Sequence, residues 1–208
     1  MVKNSKIDNI TVCGGSLCID FINTVRNRTT LPLEDYLSDF NDLLYWSKRL
    51  SVIDAAAYKK IELNAINNKR KADLFFKGAL DFRELLYKIF CGICKGKKIP
   101  AADLEEYNKI LSAYFPFIQL KRSGFNFVED WNFEQDSLMY ILAPVVNDSY
   151  ELLLTDKLKR IGECPKCRWL FLDTTKNGKR RWCTMKTCGS SVKALEWYHR
   201  QKKNQRRK

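Results

Sequence analysis

Apolar residues recur at three- and four-residue steps through most of the first 156 positions, a spacing that predicts helices. Phe40, Leu43, Leu44 and Ser47 share one helical face, and Ser38 or Asp39 stands where a cap is needed. Asp54 precedes a second run, AAAYKKIELNAI. The longest covers about 70–94, with Phe75, Ala79, Phe82, Leu85, Leu86, Ile89 and Ile93 in step. It ends at Cys91-Gly92-Ile93-Cys94, ahead of Lys95-Gly96. Pro100 opens AADLEEYNKILSAY, and a last long helix is expected from about Asp136 to Asp156, kinked at Pro144.

The period changes in one place. FIQLKR and FNFVEDW alternate around Ser123-Gly124, which predicts a two-stranded hairpin. Nearer the start, Gly14-Gly15 breaks the chain ahead of SLCIDFINTV, a short apolar segment that holds Asp20, Asn23 and Thr24. Such polar groups either cap and hydrogen-bond within the core or line a small-ligand pocket; Asp20 and Asn23 are the pocket candidates. Residues 26–38 read as a loop. Residues 1–156 are therefore expected to form a mainly α domain with one small hairpin.

The last quarter is of another kind. Cys164-x2-Cys167 and Cys183-x4-Cys188 are separated by 15 residues. Two close cysteine pairs across a short loop suit a tetrahedral metal site, in which each pair aims two thiolates at one ion. The alternatives are disulfides or ordinary buried thiols. The polar start, MVKNSKIDNI, resembles no secretion signal, and no apolar run reaches the ~18 residues of a membrane span. A cytoplasmic protein with reduced thiols and no membrane attachment is expected, and hence one structural zinc ion on Cys164, Cys167, Cys183 and Cys188. With so little core of its own, the zinc module is expected to melt on Cys183→Ser while the helical domain stays folded. Cys13 and Cys18 read as packed thiols. The Cys91–Cys94 pair ends a helix rather than starting one, so it lacks activation by a helix dipole and is expected to pack.

Charge follows the same boundary. Residues 157–208 carry 17 Lys and Arg against 3 Asp and Glu, whereas the rest of the chain is nearly neutral. A compact cationic module on a neutral body suits a polyanion. Lys176, Lys179, Arg180 and Arg181 are expected to project around an Asn177-Gly178 turn, which Asp173, Thr174 and Thr175 shape. Trp169, Phe171 and Trp182 would pack near the metal. A helix should run from Ser190 or Ser191 to about Lys203, with Val192, Leu195 and His199 facing the module and Lys193, Trp197 and Arg200 facing out. Lys186 completes the candidate nucleic-acid residues. Nucleic acid, DNA before RNA, is the expected partner; an acidic protein is the alternative. The four cysteines fill the metal's coordination and His199 is the only histidine, so no enzyme is expected.

The two ends together resemble a known family. GGSLCIDFINTV is similar to the opening of the ABATE domain. Cys164, Cys167, the run from Trp169 to Cys183, Met185, Cys188 and Gly189 resemble the CGNR zinc finger that follows it. The Cys-Gly-Asn-Arg run is altered here to Cys188-Gly189-Ser190-Ser191; Ser can still cap the next helix, but it cannot replace the charged, bidentate Arg. The resemblance implies a helical ABATE-like domain over 1–156 and a treble-clef-like or ribbon-like zinc module over 157–208, ending in a helix. It also implies a transcription regulator; the helical domain of such a regulator would be expected to sense a small-molecule effector or mediate homodimerisation.

Overall fold

The structure is a computed structural model that describes residues 5–30 and 32–205. A single turn, α1 (Ser5–Asp8), leads to the short α2 (Leu17–Ile22) and to two strands, β1 (Val25–Asn27) and β2 (Glu34–Asp35). Then come α3 (Phe40–Arg49), α4 (Ala55–Asn67), α5 (Lys69–Cys94) and α6 (Ala101–Tyr114). The hairpin is β3 (Ile118–Ser123) and β4 (Asn126–Trp131), and α7 spans Ala143–Leu154. The last part holds β5 (Ile161–Glu163), β6 (Leu170–Leu172) and α8 (Ser190–Gln205).

The caps fall where the sequence puts them. Asp39 accepts from the Asp42 amide to start α3, and Asp54 accepts from Ala56 and Ala57 to start α4. Each such cap is worth about 1 kcal/mol. α2 lies at the centre: Cys18, Ile19, Phe21 and Ile22 are fully buried, and the helix packs against α5, α7 and β6. Burial of a side chain such as Phe21 or Ile22 contributes about 1.5–3 kcal/mol, so this six-residue helix is held by its surroundings rather than by its own propensity.

The structure changes three expectations. The long helix expected over 136–156 is broken into a 3₁₀ turn, Leu138–Ile141, and α7, in which Pro144 sits in the first turn. Proline there costs no hydrogen bond, so it starts the helix rather than kinking one. The hairpin turn falls one residue later than the alternation predicts, on Gly124-Phe125, with Gly124 at a positive φ of 62°. The stretch 26–38 is not all loop, because it contains an antiparallel pair, β1–β2. That pair is fixed from behind by Arg83, which is buried and donates to both Asp35 oxygens, at 2.9 and 2.5 Å, and to the Thr24 hydroxyl.

The β3–β4 hairpin stands away from the core. Phe125 at its tip is fully exposed, and Leu120 and Phe127 are 74% and 69% exposed. No helix among the described residues is long and apolar enough to cross a membrane.

Candidate metal centre and basic cleft

β5 and β6 pair in register, Glu163 opposite Leu170, and the turn between them carries Cys164 and Cys167. The turn is closed by the Arg168 amide donating to the Cys164 carbonyl and the Cys164 amide donating to the Trp169 carbonyl, each at 2.8 Å. Arg168 takes a left-handed conformation, φ 58°, to make it. The second pair comes from a wide helical turn, Met185–Gly189, that feeds α8. Thr184 caps that turn by accepting from the Thr187 amide. Gly189 lets it close: a Cβ there would lie 3.0 Å from Trp182 Cδ1 and nearer still to Met185. A knuckle hairpin facing the start of a helix is the treble-clef arrangement.

The four sulfurs lie within 4.8 Å of one another. Cys167–Cys183 and Cys183–Cys188 are 3.5 Å apart and Cys188–Cys167 3.7 Å. Tetrahedral thiolates at Zn–S of about 2.3 Å have sulfurs about 3.8 Å apart, so the set fits one zinc ion with all four positions filled. Hydrogen bonds from Cys167 and Cys183 hold the Cys164 thiol far below its ordinary range, and the bond with Cys164 pushes Cys167 up to about 12. Metal binding to such a cluster releases the thiol protons.

The module is not free of the body. Asn23, 1% exposed, uses its whole amide on β6: Nδ2 donates to the Leu170 carbonyl at 2.8 Å, and Oδ1 accepts from the Leu170 amide at 3.1 Å. Trp169 Nε1 donates to the Val25 carbonyl at 2.6 Å, and the Arg28 amide donates to the Cys167 carbonyl at 3.1 Å. Asp20 Oδ1 accepts from the Cys13 and Gly14 amides, at 3.0 and 2.7 Å, and the loop it fixes takes the Leu172 amide on the Gly14 carbonyl at 2.7 Å. Asp20 and Asn23 thus direct these hydrogen bonds to backbone. They build the socket in which β6 sits.

Five of the candidate nucleic-acid residues come together. Lys176, Lys179, Arg180, Arg181 and Lys193 line an open cleft of about 860 Å³, along with Trp182, Met185 and Cys13. The loop on one side is held by Asp173, which accepts from the Thr175 amide and hydroxyl and from the Arg180 amide. Thr175 hydrogen bonds, ahead of the other causes, hold the Asp173 carboxyl below its usual range. Lys186, Trp197 and Arg200 lie outside the cleft and are exposed, Trp197 and Arg200 on the same stripe of α8 as Lys193.

Arg180 differs from its neighbours. It stacks over Phe171 at 4.5 Å and donates to the carbonyls of Cys13, Leu172, Trp182 and Cys183. The sequence predicts a projecting side chain; Arg180 is instead a clamp across the module. Two further expectations fail on α8. Leu195 is 56% exposed and His199 is exposed, so only Val192 turns toward the module. The Ser190 and Ser191 hydroxyls donate back to the Lys186 and Cys188 carbonyls instead of capping amides. Residues 206–208 of the basic tail lie outside the described residues.

Sequence reasoning missed the clamp and the socket. The clue to the socket was an Asn with no reason to be in an apolar helix end; nothing local signalled the four carbonyls around Arg180.

A four-cysteine treble clef seated on a helical domain defines a zinc-finger protein of two joined parts. The comparison with protein families agrees. Residues 15–156 match ABATE, described as "Putative stress-induced transcription regulator", and residues 160–201 match the CGNR zinc finger. The chain belongs to the ABATE family, with one structural zinc ion in its finger. No curated protein matches it.

Proposed function

We propose that the chain is a transcription regulator whose finger holds duplex DNA by its phosphates, at the cleft between the 175–182 loop and α8. The observation that carries this is the convergence of five cations on one 860 Å³ cleft, in a finger and tail that hold 17 Lys and Arg against 3 Asp and Glu on a nearly neutral helical domain. Lys176, Lys179, Arg181 and Lys193 are exposed, Arg181 with its guanidinium over the Trp182 ring at 4.9 Å, and face a backbone that carries a negative charge every few ångströms. The stripe of Lys193, Trp197 and Arg200 extends the same surface along α8. Arg180 shapes the cleft from behind.

The test is fluorescence anisotropy of the zinc-loaded protein against random duplex DNA and structured RNA over a series of salt concentrations. Lys179→Ala, Arg181→Ala and Lys193→Ala combined should keep zinc and weaken duplex binding. The log–log salt slope should become shallower by about one for each phosphate that is no longer neutralised. Unchanged affinity, or tighter binding to the RNA than to the duplex, would overturn the reading.

For the helical domain, the geometry favours dimerisation over sensing an effector. The Asp20–Asn23 region is filled by β6, whereas the β3–β4 hairpin exposes Leu120, Phe125 and Phe127 on a two-stranded sheet with open edges. Sedimentation equilibrium should show self-association that Phe127→Asp abolishes; a parent protein that stays monomeric would remove dimerisation from the proposal.

A further inference from the structure

The helix end at Cys91–Cys94 packs against the core as its position suggests, but it also carries a polar cluster. Both thiols are half-buried and so reachable by small molecules. Lys95 Nζ donates to Cys91 Sγ at 2.9 Å and also holds Glu163 Oε2 at 2.8 Å. The other Glu163 oxygen accepts from the Cys91 thiol at 3.5 Å and from the Tyr87 hydroxyl at 3.0 Å. Lys95 sets a cation directly on a partly exposed sulfur, one of the surroundings in which reactive cysteines occur. The second thiol is of another kind. Cys94 Sγ donates to the Cys91 carbonyl at 3.3 Å, and burial, followed by the nearby Cys91 and Glu163, pushes it up to about 11.

We propose that Cys91 and Cys94 are a dithiol that hydroperoxides oxidise, with Cys91 attacking and Cys94 resolving. Cys91 Sγ attacks one peroxide oxygen, the O–O bond breaks, and the departing alkoxide or hydroxide leaves as ROH or water with the proton that Cys91 gives up. Cys91 is then a sulfenic acid. Cys94 Sγ attacks that sulfur, the S–O bond breaks, water leaves with the Cys94 proton, and a disulfide forms. Two electrons pass from the thiol pair to the peroxide. Partly buried thiols favour a small peroxide over a bulky disulfide as the oxidant.

The position gives the oxidation somewhere to go. Residues three apart on a helix have Cβ atoms about 5–6 Å apart. A disulfide needs about 3.5–4.5 Å. The last turn of α5 must therefore tighten, just where the helix ends and Gly96 reverses the chain at φ 63°. Lys95 sits in that turn, and its ion pair with Glu163 adjoins zinc ligand Cys164. Closing the disulfide draws Lys95 away from the knuckle, and the two halves of the molecule are joined at this spot. The oxidation itself stands apart from the nucleic-acid reading.

The test is hydrogen peroxide added in small steps to the zinc-loaded full chain. Cleavage after Lys88 and Lys95 places both cysteines in one peptide, 89–95, whose mass should fall by two hydrogens before a chromophoric indicator detects released zinc. In Cys94→Ser the reaction should stop at a sulfenic acid on Cys91, trapped by dimedone; in Cys91→Ser, Cys94 should stay unlabelled. Lys95→Met should slow the first step about tenfold while circular dichroism stays unchanged. Zinc release ahead of peptide oxidation, or dimedone on Cys94 at the parent rate, would overturn the proposal.

Discussion

Asn23 joins the two parts with its whole amide, which matches both polar groups of one strand residue. Truncation to Ala leaves the Leu170 amide and carbonyl unpaired in a buried place, and each such orphan costs about 1–3 kcal/mol. Asn23→Ala should therefore lower the unfolding free energy by about 2–4 kcal/mol, read from the urea midpoint, and speed amide exchange at Leu170. A change within error would mean that water replaces the side chain. Arg180 is held in the same manner, with carbonyls in place of an amide and a carbonyl, so its charge is used within the fold. Cations that look alike in the sequence thus divide into one clamp and several exposed groups. The division depends on which carbonyls the fold brings near, which no local pattern encodes.

At the scale of elements, what was legible had a period or a spacing behind it. α3, α4, α5 and α6 followed from apolar steps and from Asp39 and Asp54 at their caps, and the hairpin from two alternating runs about a glycine. The metal site followed from cysteine spacing together with the expectation of reduced thiols, since short chelating turns are local. The elements that the sequence does not reveal are those shaped by distant partners. β1–β2 exists because Arg83, on α5, pairs with Asp35. α8 shows the same limit from the other side. Its periodicity offers Val192, Leu195 and His199 as an inward face, but the helix leaves the finger after its first turn, so the later two have nothing to pack against. The cationic stripe on its other face gains room from the same departure, and the cleft opens where α8 pulls away from the 175–182 loop.

At the scale of the whole molecule, the described residues of the finger and the helical domain share one apolar cluster, and that decides what metal removal does. Trp169, Leu170, Phe171 and Leu172 are buried in the same apolar cluster as Phe21, Ile22 and Phe82. Zinc supplies about 10–16 kcal/mol to the folding of finger peptides, as much as the total stability of an ordinary domain, so its loss cannot be absorbed locally. The knuckle presents β6 to α2 and β5 to α5, and without the ion neither strand is held in register. α2 is too short to stay helical once β6 leaves Asn23. Cys183→Ser, or a strong chelator, should therefore deprotect amides in 17–27 together with those in 161–189, in a single step. α3 and α4, which pack against each other away from the finger, should keep much of their protection. Hydrogen exchange followed by mass spectrometry, with and without zinc, reads both regions at once. Protection retained across α2 in the metal-free protein would mean that the finger unfolds alone and that the socket is merely where it rests. Loss in both regions would make the zinc ion a structural member of the helical domain as well, and a change at the knuckle would then reach the body directly.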